Sequence, residues 1–220
     1  PAGTAHILGQ RRGPKAMTPF DSWVAFELRP GVIQAWVDDE AILNHFKAMM
    51  DAVSIPVFYY NNPGLSGNKV SMSTLRALAE YGLGGIKDST FDVVNYYHSV
   101  LALKKDFPNL NIGIGTEAML TATFDAGAQF AVTGLGNVYP DLIAELYQDY
   151  LSGDRAKMMD TQMKVVRVRQ ITKYGLTVPT CHAILDMRGV DAGYPRLPFT
   201  HVSPDIYAKV KADLQAMNLL

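Results

Sequence analysis

From Asp38 onward the apolar positions switch repeatedly between two periods. Ile42, Phe46, Met49 and Val53 recur at helical spacing behind Asp38 or Asp39, either of which can cap the helix. Residues 55–60 form an apolar, aromatic run of strand length, and Asn61-Asn62-Pro63-Gly64 after them has loop chemistry. Ser73 is expected to cap the next helix, which carries Leu75, Leu78 and Ala79 and stops at Gly82. A second buried strand is read over 83–87. A helix follows from Thr90 with Val94, Tyr97 and Leu101 as its apolar face, closed by Pro108. The alternation goes on with a strand over 111–115, a short helix over 118–126, a strand over 129–134 and a helix over 141–151. Strands recurring roughly every 20 to 30 residues with one helix between them are the mark of parallel βαβ units, so the fold class is α/β. After Gly153 the pattern is wholly helical, over about 154–174, 179–187 and 203–217. The chain is therefore divided into an α/β portion, 1–153, and a helical extension, 154–220. Within the first portion 1–37 stays unassigned, although 23–28 and 32–37 have strand-like composition.

Composition narrows the function classes. The chain has 220 residues, 48% of them apolar, with 20 basic and 21 acidic side chains and a formal net charge of −1. No charge run points to nucleic acid or an anionic membrane surface. Cys181 is the single cysteine, so neither an intrachain disulfide nor a thiolate metal cluster is expected. No apolar run is long enough to span a bilayer, and the first residues lack a signal peptide's apolar core. A cytoplasmic protein is expected.

Candidate chemistry centres on Gly84-Gly85-Ile86-Lys87-Asp88-Ser89-Thr90. A lysine at the end of a buried strand loses solvation, so it either finds an anion or gives up its proton more readily. A free amine there could attack a ketone and form a Schiff base. A lysine at such a place is more often a solvated rim residue, and Asp88 reads equally well as an acid leading into a helix. In parallel α/β folds, however, the C-terminal strand ends carry the site. Those ends bring Tyr59-Tyr60-Asn61, Lys87-Asp88, Gly115-Thr116-Glu117 and Thr133-Gly134 to one rim. An amine, a phenol and a carboxylate together suit carbonyl chemistry, the amine forming the imine and the phenol moving the proton.

Two stretches carry a family resemblance. Tyr60-Asn61-Asn62-Pro63-Gly64-Leu65-Ser66-Gly67 resembles a Y-N-x-P-x-x-[ST]-G loop, and Gly85-Ile86-Lys87-Asp88-Ser89-Thr90 resembles a G-[IV]-K-D-[ST] Schiff-base strand. Residues 127–133 are similar to G-A-x-G-x-I-S. The family is the dihydrodipicolinate synthase / N-acetylneuraminate lyase group of class I, lysine-dependent pyruvate aldolases, and the resemblance covers about 38–220. It implies a (β/α)8 TIM barrel with a C-terminal helical extension, assembled as a homotetramer, acting on a small 2-keto acid without a cofactor or metal. Lys87 would form the imine and Tyr60 would relay protons. Ser66, Gly115, Glu117 and Val132 would contact the substrate, Val132 through its carbonyl.

Departures from the family pattern refine the expectation. The synthase branch carries an arginine in the tyrosine loop, where this chain has Leu65-Ser66. Leu-Ser-Gly looks more like the lyases acting on sialic or 2-keto-3-deoxy sugar acids, and Gly193-Tyr194-Pro195-Arg196 resembles the C-terminal region of 2-keto-3-deoxygluconate aldolases. The expected reaction is cleavage or formation of such an acid, or a related 2-keto acid, with pyruvate. A dihydrodipicolinate synthase-type or dehydratase member, or a truncated non-catalytic remnant, is the alternative. The family's G-x-T-G-E loop, which binds the pyruvate carboxylate, is missing from 1–37, where Met17-Thr18-Pro19-Phe20 is similar to a first-strand T-P-F. The N-terminal strands are thus expected to be shortened or missing. Gly113-Ile114-Gly115-Thr116-Glu117-Ala118 has the form of a phosphate fingerprint but lacks the ribose-binding acid downstream. The five histidines have no ligand spacing, Cys181 reads as a buried thiol, and Met158, Met159 and Met163 read as core or subunit contacts.

Overall fold

The structure, a computed structural model, describes residues 24–26 and 37–220. The strand expected over 32–37 and the Met17-Thr18-Pro19-Phe20 match lie outside the described residues, apart from Val37, which is exposed. The chain forms two compact units. One holds the described residues up to Thr116 together with Ala122–Val132, and the other holds Glu117–Thr121 and Thr133–Leu220.

In the first unit four parallel strands lie in the order β1 (Val24–Phe26), β2 (Val57–Asn61), β3 (Gly85–Asp88) and β4 (Asn111–Ile114). Parallel neighbours need a crossover, and helices supply it. Helix α1 (Asp39–Ala52) precedes β2. The short α2 (Pro63–Ser66) and α3 (Met72–Tyr81) join β2 to β3, and α4 (Val93–Leu103) joins β3 to β4. Helix α1 starts as its sequence dictates: the Asp38 carboxylate accepts from the Ala41 N–H at 2.8 Å, and Asp39 and Glu40 sit in the first turn, where the helix dipole favours acids. Its Ile42 and Phe46 are buried, and Phe46 meets Tyr59 edge to face at 5.5 Å. Leu78, Ile86, Ile112 and Ile114 are fully buried, and each contributes about 1.5–3 kcal/mol relative to an exposed side chain.

Three local expectations need correction. Helix α3 is capped by Ser71, whose Oγ accepts from the Thr74 N–H at 3.2 Å, while Ser73 lies inside the first turn. Only the extended residue ahead of the turn can aim its hydroxyl at the free N–H groups. Gly82 does end this helix, at φ 111°, a conformation that favours glycine. Helix α4 buries Tyr96, Ser99 and Leu103, whereas Val94 is 58% exposed and Tyr97 is exposed too. Asp92 sets the phase by accepting from the Asn95 N–H at 3.0 Å, and packing on α3 selects the buried face. The strand read over 129–134 is reduced to one parallel bridge, Ala131 to Ile114. Beyond Val132 the chain turns instead into a single 3-10 turn, Leu135–Asn137, led by a Gly136 N–H to Thr133 Oγ1 hydrogen bond of 3.2 Å.

The second unit is helical after its 3-10 turns. It holds α6 (Pro140–Ser152), α7 (Arg155–Ile171), α8 (Thr177–Met187) and α9 (Pro204–Ala216), while α5 (Leu120–Asp125) lies earlier in the chain. Leu142, Leu146, Val165, Val168, Ile171, Ile184, Val210 and Leu214 form its core. Asp149 of α6 is buried against α7, where Thr161 Oγ1 donates to it at 2.6 Å and Lys157 Nζ pairs with it at 2.6 Å. Met158 is buried, whereas Met159 and Met163 are exposed. Among the described residues no helix is long and apolar enough to cross a membrane.

Candidate active site

Strands β2 and β3 pair with Tyr60 opposite Lys87 and Asn61 opposite Asp88. Successive strand residues point to opposite faces, so this register divides the rim into two sets. On one face the Lys87 ammonium lies over the Tyr60 ring, with Nζ 3.8 Å from the centroid. That is a close cation–π contact. Among the described residues no carboxylate pairs with Lys87 within 4.0 Å. The Tyr60 hydroxyl accepts from Asn62 Nδ2 at 3.0 Å, which leaves its proton free to be donated elsewhere.

Gly115 closes the same pocket of backbone. A Cβ built there would lie 1.7 Å from Ser89 Oγ and 2.9 Å from Lys87 Cε, so only glycine lets these side chains cross the end of β4. Ser89 Oγ is buried and has no hydrogen-bond partner among the described residues. A buried hydroxyl left unpaired is uncommon and points to an absent partner. Ser89 lies within the Gly85–Thr90 motif, but no residue pattern in the sequence marks its hydroxyl as buried and unpaired.

On the opposite face Tyr59, Asn61 and Asp88 form a chain of hydrogen bonds. Tyr59 OH donates to Asn61 Oδ1 at 3.1 Å and Asn61 Nδ2 donates to Asp88 Oδ2 at 2.8 Å. Thr90 N–H and Thr90 Oγ1 both donate to Asp88 Oδ1, at 3.0 and 2.7 Å. Burial pushes the Asp88 carboxyl above its ordinary value, against the opposing pull of these donors.

The remaining candidates sit as follows. Ser66 is half-buried and uses its hydroxyl inside its own loop, donating to Asn68 O at 3.1 Å and accepting from Asn68 N–H at 3.2 Å. Val132 donates its N–H to Ile114 O at 3.0 Å, and its carbonyl accepts no hydrogen bond among the described residues. Glu117 belongs to the second unit. There its carboxylate pairs with Arg169 Nε at 3.0 Å and its backbone carbonyl accepts from Gln162 Nε2 at 3.0 Å. Nothing in the sequence spacing signalled Arg169 as its partner.

The second unit also contains a cavity of about 530 Å³ lined by His182, Asp186, Tyr194, His201 and Tyr207. His182 Nδ1 lies 3.1 Å from Gly193 O, and Tyr207 OH donates to Asp186 at 3.1 Å. Among the described residues no group of three or more His, Cys, Asp or Glu is arranged to hold a metal ion. Burial, and next the Glu117 charge, push the Cys181 thiol up to about 11.

An uncharacterized DapA-like lyase of Halobacterium salinarum is 36% identical over 185 residues, which cover 84% of this chain and 60% of that protein. A 4-hydroxy-tetrahydrodipicolinate synthase of Archaeoglobus fulgidus is 25% identical, over 82% of this chain and 62% of that one. The chain thus spans about 60% of the length of the curated relatives it matches. YagE, a prophage protein of the dihydrodipicolinic acid synthase family from E. coli K12 solved with pyruvate, superposes with a TM-score of 0.77 at 22% identity. The match covers 85% of this chain and 64% of YagE. That likeness extends to the fold, an α/β architecture of the barrel type over the matched part. Residues 36–217 match the model of the dihydrodipicolinate synthetase family, and the chain belongs to that family.

Proposed function

We propose that this chain carries the reacting amine of a Schiff-base-forming lyase or aldolase of the dihydrodipicolinate synthetase family, within a (β/α)8 barrel. The observation that carries the reading is Lys87 lying against the Tyr60 ring, with no ion-pair partner among the described residues. An amine not tied to a carboxylate is available to a carbonyl carbon, and a phenol beside it can move a proton. The Lys87 amine adds to the 2-keto carbon and water leaves. The C4 hydroxyl then gives up its proton as the bond between C3 and C4 breaks, C4 leaves as an aldehyde and the bond's electron pair passes into the iminium as an enamine. Protonation at C3 and hydrolysis by water return pyruvate and the free amine. The unpaired Ser89 hydroxyl beside Lys87 supplies a hydrogen bond to a substrate oxygen.

A 2-keto-3-deoxy sugar acid, or a related 2-keto acid, is the substrate class favoured by Leu65-Ser66, which offers no cation for a second carboxylate. Gly115 and Val132 border the substrate beside Lys87, and Ser66 shapes the loop after Tyr60. Glu117, paired with Arg169 in the second unit, is the residue that the family resemblance assigns to the sugar-acid end. The synthase reaction is the second reading, supported by the relative from Archaeoglobus fulgidus. The assembly is a cytoplasmic homotetramer with no cofactor.

Borohydride reduction in the presence of pyruvate tests the reading directly. Mass spectrometry is expected to find a reduced three-carbon adduct on Lys87 of the wild-type chain and none in Lys87→Ala. An adduct on another lysine, or no adduct, favours a non-catalytic remnant. Cleavage of 2-keto-3-deoxygluconate against condensation with a semialdehyde then separates the two substrate classes.

A further inference from the structure

Asp88 is 2% exposed and has no cationic partner among the described residues. A buried carboxylate without a cation is costly unless hydrogen bonds hold it. Its two oxygens are used differently. Oδ1 takes both Thr90 donors, a local turn that many aspartates make two residues ahead of a loop. Oδ2 instead reaches across to Asn61 Nδ2 on the neighbouring strand, and Asn61 Oδ1 in turn holds the Tyr59 hydroxyl. The local turn does not account for that second set.

The link is placed one residue beyond the reacting pair on both strands. Asn61 follows Tyr60, Asp88 follows Lys87, and the pairs are in register. Backbone bonds continue the stitching: Ser89 N–H donates to Asn61 O at 2.8 Å, and Gly115 N–H donates to Asp88 O at 2.6 Å. The strand ends of β2, β3 and β4 are therefore tied at one level. We propose that Asn61 and Asp88 are a positioning pair, a bolt on the helix-facing side of the sheet that holds the Tyr60 ring against the Lys87 amine on the other side. The inference rests on the reading of Lys87 and Tyr60 as the reacting pair, and its test separates the two.

Three variants are compared in the 220-residue chain. Asp88→Ala removes the whole carboxylate. Asn61→Ala removes the bolt but leaves Asp88 its Thr90 turn, which keeps the test open should Asp88→Ala fail to fold. The exchange Asn61→Asp/Asp88→Asn is chemically balanced. The new carboxylate at 61 accepts from Tyr59 OH and from the new amide, whose oxygen still accepts from Thr90.

The readout is the ring-current shift of the Lys87 ε-methylene in protein labelled with ¹³C-lysine. Tyr60→Leu identifies the signal, because Lys47 and Lys209 also lie over tyrosine rings, those of Tyr81 and Tyr174. In folded Asp88→Ala or Asn61→Ala the shift is expected to collapse toward its Tyr60→Leu value, and in the exchange variant to stay at wild type. A residue that merely stabilised the fold would leave the shift intact in the folded protein. Adduct formation with pyruvate is expected to slow about 10–100-fold in the alanine variants and to recover in the exchange. A wild-type shift retained in folded Asn61→Ala, or lost in the folded exchange variant, overturns the positioning role. A wild-type chain that shows the shift but traps no adduct overturns the lyase reading alone.

Discussion

Lys87 Nζ stands 3.8 Å from the centroid of the Tyr60 ring, and the two residues are direct register partners on adjacent parallel strands. The neighbouring tyrosine has the opposite fate. Tyr59 is 6% exposed, packs on Phe46 and spends its hydroxyl on Asn61. Strand pleating alone makes this division, since adjacent side chains leave on opposite faces.

Tyr60→Phe is therefore expected to lower turnover by roughly 10²–10⁴-fold while leaving the thermal midpoint close to wild type. Tyr59→Phe should do the reverse, losing about 1 kcal/mol of stability with its hydrogen bond and leaving turnover nearly intact. Paired melting curves and steady-state rates decide. A larger rate loss from Tyr59→Phe would count against Tyr60 as the proton relay.

Gly115→Ala should both destabilise the fold and abolish adduct formation, because the added methyl would meet Ser89 Oγ at 1.7 Å and Lys87 Cε at 2.9 Å. Overpacking of this kind typically costs about 1–3 kcal/mol. Adding Ser89→Ala removes the worst overlap, so the double variant should regain thermal stability but not adduct formation. If Gly115→Ala melts and reacts like wild type, the close crossing at the end of β4 is not a constraint.

Asp149 provides a pH test in the helical unit. Its hydrogen bonds with Lys157, and next with Thr161, hold its carboxyl below the ordinary value of 3.8. A carboxyl lowered in the folded state contributes its stability above the unfolded value and loses it as the pH falls through the folded value. Asp149→Asn should consequently melt below wild type at neutral pH, and the gap should narrow as melts are repeated into the acid range. A gap that stays constant or widens on acidification would contradict the pairing.

Cys181 should be slow to alkylate. With its thiol raised from 9.0 to about 11, little thiolate exists near pH 9, where an unperturbed cysteine is half ionised. Iodoacetamide labelling followed by mass spectrometry is expected to be slow in the folded chain and fast in urea. Equal rates in the two conditions would show that burial does not protect the sulfur.

The sequence by itself determined the order of strands and helices, the Gly82 stop and the pair of motifs that put Tyr60 and Lys87 near the ends of neighbouring strands. These are local properties: helical and strand periods, a positive-φ position, and residue types at short spacing, all of which act over a few residues. Even within local structure the cap is Ser71 and not the expected Ser73, because only backbone geometry decides which hydroxyl reaches a free N–H.

The tertiary structure decided the rest. The apolar face of α4 could be read as Val94 and Tyr97, yet packing on α3 and the Asp92 cap bury Tyr96, Ser99 and Leu103. The strand expected over 129–134 has the right composition, but a strand exists only as far as a neighbour pairs with it, and here that pairing is a single bridge at Ala131. The Asn61–Asp88 bond joins residues 27 apart, and the Glu117–Arg169 pair spans a still longer separation. Such contacts leave no period in the sequence, because a side chain that pairs across strands or helices needs only the right type at the right place in space. Which donors meet Asp88, and how close the Lys87 amine comes to a ring, follow from strand register, and register is settled by the packing of whole faces.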